Sequence, residues 1–252
     1  MTTNFFLPVA ALLLLLALSV STPLLAVSST LTMSVTPSIF FSSAENQTGG
    51  RGAAGAELSP SHLRDAVVTI TEVQRPWYAF RFIIKGRFEQ AVPEYTAISG
   101  LLQKNFALSD DGKSFGGIYL WRTKASADAW FTPAWFKRTQ EQYGKTGKVS
   151  TFRLLSYTAY NAVPKPTGGY WSVLHRGSQK AIGAVPPAGL LHAYRVSDEA
   201  VPQEAGITLW RSKDDAKAYF QSIGVADGEL AYFDTPVLIN NLQSTSSAVS
   251  GQ

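Results

Sequence analysis

Seven residues have the types and spacing to build a pocket for an aromatic or apolar small molecule. Tyr119 and Trp121 stand two apart in the strand-like run Gly117–Trp121, so their side chains share a face. A phenol beside an indole could orient a bound anion on an apolar surface. Asn105, on the preceding strand-like run Gln103–Leu108, adds an amide. These three are the catalytic candidates. Tyr78 and Phe80 alternate along Trp77–Lys85, which reads as a strand, and Trp130 and Trp135 lie on a helix interrupted at Thr132-Pro133. These four are the substrate-binding candidates. The same aromatics also suit an ordinary core, and Asn105 suits a hairpin amide.

Other chemistries are poorly provided for. The chain has no cysteine, which excludes disulfides, thiolate metal sites and a cysteine nucleophile. Its net charge is +4, spread without a basic block, so nucleic acid is not an expected partner. No phosphate loop, dinucleotide fingerprint or nucleophile elbow is present. Asp110-Asp111 and Asp214-Asp215 read as turn and helix-start charges. Of the three histidines, His62 falls at the edge of a linker. His192 shares a strand face with Tyr194, and His175 could approach it from a neighbouring strand. No carboxylate has the spacing to complete a metal site with them, and no metal is expected.

The elements that must position these residues repeat. Gly100-Leu101-Leu102 matches Gly189-Leu190-Leu191, and Gly117 to Arg122 matches Gly206 to Arg211, both at an offset of 89. Across 100–131 and 189–220, twelve of thirty-two ungapped positions are identical, too many for coincidence and too few copies for a solenoid. The first copy reads as strand Trp77–Lys85, helix Glu89–Leu102, strand Gln103–Leu108, turn Ser109–Gly112 and strand Gly117–Trp121. A helix capped by Thr123 follows, restarts at Thr132-Pro133, and leads to strand Lys148–Tyr160. This is the β-α-β-β-α-β order of a ferredoxin-like unit. The second copy reads as strands Tyr170–Arg176, Leu190–Val196, Ile207–Trp210 and Glu229–Ile239, with a helix capped by Ser212. Gly183, Pro186 and Pro187 leave little of its first helix.

Each unit covers one sheet face with helices and leaves the other open. The expected fold is therefore α+β: two tandem ferredoxin-like repeats packed sheet to sheet as an intramolecular pseudo-dimeric barrel. The expected chain is monomeric, with repeats at 67–163 and 164–242.

Gly116-Gly117-Ile118-Tyr119-Leu120, followed by Lys124-Ala125-Ser126-Ala127 and a helix, resembles the YdhR-type monooxygenases of the dimeric α+β barrel superfamily, which includes the antibiotic-biosynthesis monooxygenases. Pro187 to Leu191 leading to Ala205 to Leu209 echoes the same hairpin. The resemblance covers about 75–161 well and 168–241 less well. It implies oxygenation of an electron-rich, often phenolic, substrate without flavin, haem or metal, in an apolar pocket between sheet and helices. The chain departs from the pattern by fusing two copies, by its N-terminal apolar run and by its degenerate second copy. A non-catalytic secreted binding module for an apolar small molecule, or for haem held by one histidine, is the alternative. If a pocket exists, only the first copy is expected to carry it.

Phe5 to Val20 is an apolar run of sixteen residues, short for a membrane span, and Pro23 and small residues follow it. Residues 1–26 read as a signal peptide, although the first basic residue is Arg51. The expected location is secreted or periplasmic, with the alternative of anchoring by this segment. Residues 27–66 read as a Ser/Thr/Gly-rich linker that carries the sequon Asn46-Gln47-Thr48, and 243–252 as a frayed tail.

Overall fold

The computed structural model describes residues 56–57, 63–163, 165, 167–177, 185–198, 201 and 203–242. The proposed signal peptide, the sequon, His62 and the tail lie outside them. No helix of the described residues is long and apolar enough to cross a membrane.

The described residues form nine strands and four helices: β1 (Ala56–Glu57), β2 (Val67–Gln74), α1 (Arg81–Thr96), β3 (Leu101–Ser109), β4 (Ser114–Trp121), α2 (Lys124–Trp130), α3 (Pro133–Tyr143), β5 (Lys148–Ala159), β6 (Thr167–Arg176), β7 (Leu190–Asp198), β8 (Glu204–Trp210), α4 (Lys213–Ser222) and β9 (Leu230–Asn240). The order β5-β2-β4-β3-β9-β6-β8-β7 closes when β7 pairs with β5, which gives an eight-stranded antiparallel barrel with the two-residue β1 added beside β5. Closure leaves the eight long strands without a free edge.

The first strand is Val67–Gln74, not the expected Trp77–Lys85. Val67-Val68-Thr69-Ile70-Thr71 is a β-branched run that pairs with β4 on one side and β5 on the other. Arg75-Pro76 ends it. The alternating aromatics that follow lie on a turn and on α1, which starts at Arg81 and stops at Thr96, earlier than the expected Glu89–Leu102. Ile84 and Phe88, four apart, are its buried residues, so the helical period wins over the twofold one. The folded part also begins before residue 67. β1 pairs with β5, and Leu63 and Ala66 are buried in the core. Leu63 and Ala66 fall within the stretch 27–66 expected as linker, yet they pack in the barrel interior.

Alternation divides every strand into an interior and an outer face. Val68, Leu102, Ile118, Leu120 and Phe152 of the first half meet Leu174, Tyr194, Val196 and Ile207 of the second in one interior cluster. Outside, α1 packs on β3 and β9, α2 and α3 on β2 and β4, and α4 on β6 and β8. Among the described residues no helix connects β6 to β7; part of the connection lies outside them.

The two hairpins share their construction. Gly100 (φ +79°) and Gly189 (φ +77°) take left-handed conformations in which a Cβ would collide with Ser126 and Asp215 respectively. Arg122 N–H donates to the Gly100 carbonyl and Arg211 N–H to that of Gly189, both at 2.8 Å. Bulges follow at Leu101/Gln103 and Leu190/His192. The helices after the hairpins are capped alike: Thr123 Oγ1 accepts from Ser126 N–H and Ser212 Oγ from Asp215 N–H, each at 3.1 Å.

Candidate functional site

The outer face of the first half is walled by aromatic side chains. β4 directs Gly117, Tyr119 and Trp121 outward, β3 directs Lys104 and Phe106, and β2 directs Val67, Thr69 and Thr71. α1 brings Tyr95 over this surface; Trp130 and Phe131 close α2, and Trp135 opens α3. Tyr119 and Trp121 stack at 5.7 Å and 8°. Phe131 stands edge-on to both, at 5.4 and 5.8 Å, and to Trp135 at 5.2 Å. Trp130 packs on Tyr95 at 5.4 Å. Trp121 donates to Thr69 Oγ1 at 2.8 Å, whereas Trp130 Nε1 is buried without a partner.

Lys104 sits at the centre of this wall. It is 2% exposed, and its ammonium nitrogen faces rings rather than a carboxylate: 2.9 Å from the centroid of Tyr95, 3.7 Å from Phe106 and 4.7 Å from Tyr119. Gly117 makes room, since a Cβ there would press on the Tyr119 ring and the Lys104 stem. Burial lowers the Lys104 pKa well below the ordinary lysine value, and Glu94 opposes this more weakly. Burial likewise pushes the Tyr95 phenol up to about 12, against a hydrogen bond with Tyr119. Tyr119, between Thr71 and Tyr95, is raised well above the ordinary value, mainly by burial. The arrangement thus joins an amine that gives up its proton more easily than an ordinary lysine to two phenols that hold theirs more tightly. It can accept a proton and donate hydrogen bonds in a dry, apolar setting.

The structure brings together four of the seven candidates: Tyr119, Trp121, Trp130 and Trp135. Asn105 is not among them. It lies one position from Lys104 on β3 and therefore points into the barrel, on the opposite side of the sheet from Tyr119. There it joins a buried polar set. Gln103 Nε2 approaches His192 Nδ1 at 2.9 Å and Asn105 Oδ1 at 3.4 Å. Asn105 Nδ2 donates to Ser172 Oγ at 3.2 Å, and Ser172 meets Thr235 at 2.9 Å. Burial lowers the His192 pKa to about 4, so the neutral ring accepts at Nδ1 from the amide. Tyr78 and Phe80 stand away from the wall, exposed on the turn before α1 and at its N-cap position. They lie on this turn and at the start of α1 rather than on the expected strand. His175 does not approach His192. It packs on Phe220 of α4 outside the barrel, while His192 faces the interior against Tyr157. Among the described residues, no three His, Asp or Glu side chains converge as metal ligands.

Sequence reasoning misses Lys104 and Tyr95. The available signal is a lysine between Gln103 and Phe106 in a run that otherwise reads as a buried strand. Tyr95 falls on the expected helix, but only α1's docking on β3 and β9 points its ring at Lys104.

No protein-family model matches the sequence, and no curated protein matches it. Solved structures do match the backbone. A "putative monooxygenase" from Lactobacillus acidophilus NCFM superposes with a TM-score of 0.52 at 13% identity, covering 70% of this chain and 97% of that one. A "putative monooxygenase" from Fusobacterium nucleatum subsp. nucleatum ATCC 25586 gives 0.50 at 10% identity, over 69% and 94%. The likeness is one of fold. It agrees with the α+β barrel expected from the sequence.

A separate cavity of about 1010 Å³ opens at one end of the barrel. Ile70, Phe152, Leu174, Ala205 and Phe233 line it together with nine charged side chains, among them Glu72, Arg75, Lys148 and Arg176. It is large enough for a small organic ligand.

Proposed function

We propose that the chain is a fusion of two ferredoxin-like units of the YdhR-type kind, and that its first unit oxygenates a small phenolic substrate without a bound cofactor. Support for the fusion is the 89-residue offset together with the strand order of each half, β5-β2-β4-β3 and β9-β6-β8-β7. The reaction class follows the name carried by the solved barrels of this fold; the residues come from this chain. The observation that carries the reading is the lysine enclosed by Tyr95, Phe106 and Tyr119.

In the proposed reaction the neutral Lys104 amine takes the phenolic proton, and Tyr119 and Tyr95 hydrogen-bond to the oxygen that becomes anionic. The phenolate gives one electron to dioxygen; the resulting radical and superoxide join in a carbon–oxygen bond, and the peroxide takes back the proton held by Lys104 to become a hydroperoxide. Loss of water from the hydroperoxide leaves a carbonyl. A phenol and one dioxygen thus become a quinone and one water, with the substrate as the reductant. Trp121, Trp130 and Trp135 form the dry wall. Because the rings close on Lys104, substrate entry requires α1 to shift. The restraints on that shift are the packing of Ile84 and Phe88 and the contacts of Arg81 and Lys85 with Asp234.

Oxygen uptake with a panel of phenols and hydroquinones, without added reductant, tests this. One labelled oxygen atom per product is expected. Lys104→Met is expected to lower turnover by at least about 100-fold, with Tyr119→Phe less severe. Folding is checked separately. A lowered lysine pKa means that the unfolded chain binds more protons below the ordinary lysine range, so stability rises with pH toward that range. Lys104→Met removes this slope and is more stable than wild type at neutral pH. Turnover that survives in a folded Lys104→Met variant sinks the reading.

A second reading is binding of an apolar small molecule without chemistry, for which the barrel-end cavity offers only its inner part, Ile70, Phe152, Leu174 and Phe233, as an apolar seat. Export is proposed from the apolar run alone. A mature N-terminus between Thr22 and Val27 is expected on sequencing, and intact Met1 in a membrane fraction would point instead to anchoring.

A further inference from the structure

We propose that the segment Arg75–Phe88 docks the protein on an anionic phospholipid surface. The segment reads RPWYAFRFIIKGRF: four basic residues, no acidic one, and five aromatic rings within a single turn and the start of α1. Four of its five rings are not spent on the core. Trp77 is 86% exposed, Phe82 73%, Phe80 56% and Tyr78 42%, with Ile83 beside them. They are the largest exposed apolar group among the described residues, and they are contiguous, which marks an interaction surface rather than scattered exposure.

The patch is held in shape before anything binds it. Arg75 donates to the carbonyls of Gly112 and Ala79, fixing the turn that carries Trp77 and Tyr78. Those two rings meet edge-on at 5.8 Å, and Phe80 stacks on Phe82 at 6.0 Å and 7°. Ile84 and Phe88 anchor the other side of α1 in the core. The charge around the rings is positive. Arg81 and Lys85 share the single carboxylate of Asp234, each at 3.0 Å, and Arg87 lies on the same helix. Within the segment the four cations, two of them on Asp234, complement headgroup phosphates, while tryptophan and tyrosine suit headgroup depth with phenylalanine below. A protein groove would satisfy the rings but would gain nothing from this charge unless it were acidic. The inference is independent of the proposed reaction.

The absence of cysteine allows a site-specific test. In the full chain, Phe82→Cys carries an environment-sensitive fluorophore, and Glu141→Cys, on the exposed surface of α3, carries the same label as a control. The probe is a vesicle of phosphatidylcholine with about 30% phosphatidylserine. A blue shift is expected at position 82 and not at 141, weaker on phosphatidylcholine alone and falling as salt is raised. Adding Trp77→Ser and Phe80→Ser to the labelled chain is expected to raise the vesicle concentration at half-shift by at least about tenfold. The proposal is overturned if the label at 82 stays in water, including when the chain sediments with vesicles through its N-terminal apolar run. Equal shifts at 82 and 141 also overturn it. So does a label already shielded without vesicles: concentration-independent shielding would mean cover by the chain itself, and concentration-dependent shielding a second copy.

Discussion

The outer face of β3 and β9 and the outer face of β7 and β5 occupy corresponding places in the two halves, yet among the described residues only the first lies under a helix. β3 and β9 present Phe106, Leu108, Val237 and Ile239, which bury against Ile84 and Phe88 of α1. On the other face, Arg195 pairs in register with Ser156 and Ser197 with Arg153. Arg195 turns to Glu204 at 3.0 Å, half in solvent, and makes no core. Phe106 and Leu108 align with Arg195 and Ser197 at the 89-residue offset, and Lys104 with Ala193. The difference teaches that the helix and the apolar strand face depend on each other. A helix with Pro93 inside it and Phe80 as an uncapped start has little stability of its own and is held by burial. Where the strand offers arginine and serine, there is nothing for such a helix to bury, and the aromatic enclosure of Lys104 has no counterpart.

Converting one face into the other gives the largest expected effect. Phe106→Arg puts a charge under α1 and removes a ring that packs on Phe88 at 4.8 Å and Tyr95 at 5.4 Å. A loss of about 3–5 kcal/mol is expected in urea unfolding. Hydrogen exchange should speed up in α1 and leave α4 protected. If α4 loosens equally, the two outer faces are not independent, and the comparison fails.

The interior, which the halves share, should respond to acid. The folded His192 pKa of about 4 lies below its ordinary 6.5, so the unfolded chain binds the proton first as pH falls. The stabilisation is complete above 6.5 and is lost between 6.5 and 4, by roughly 3 kcal/mol. His192→Gln should flatten this limb of the stability profile. An unchanged acid limb would mean that other groups dominate it.

The helix caps sharpen the comparison from the side of likeness. Thr123→Ala and Ser212→Ala remove the same hydrogen bond in the two halves, and each should cost about 1 kcal/mol by thermal or urea unfolding. A large inequality would show that the helices depend differently on their caps despite the common geometry. The smallest effect is expected from Arg195→Ala. Its ion pair with Glu204 is solvated, so stability should move by no more than about 0.5 kcal/mol. A larger loss would mean that this face is covered after all.

Much of the fold is legible in the residues. Gly100 and Gly189, the Trp-Arg pairs and the capping Thr123 and Ser212 stand at one offset because each has a local role. The glycines make a left-handed turn, the Trp-Arg pairs end a strand, and the capping hydroxyls start a helix. Such roles depend on neighbours in the chain. The first strand is easily misplaced because Tyr78, Phe80, Phe82 and Ile84 alternate as a strand would, while Ile84 and Phe88 also meet the helical spacing. Which period prevails depends on what lies beneath, and that is β3 and β9. Tyr119 and Trp121 do share one face as expected, since two residues along a strand settle that. Asn105 does not join them, because the face its strand turns toward Tyr119 depends on the register with β4 and on the bulge after Leu101.

The chain order alone therefore determined the hairpin-and-helix plan at 100–131 and at 189–220, the pairing of Tyr119 with Trp121 and the absence of thiol chemistry. Each follows from residue type and short-range spacing. Tertiary structure alone decided that β7 closes on β5, that Asn105 and His192 share the barrel interior, and that Lys104 meets Tyr95. Tyr95 is nine residues before Lys104, but the two are joined only because α1 folds back over its own strand. Burial between rings, which moves the lysine toward its neutral form, is a property of that packing and of no segment taken singly.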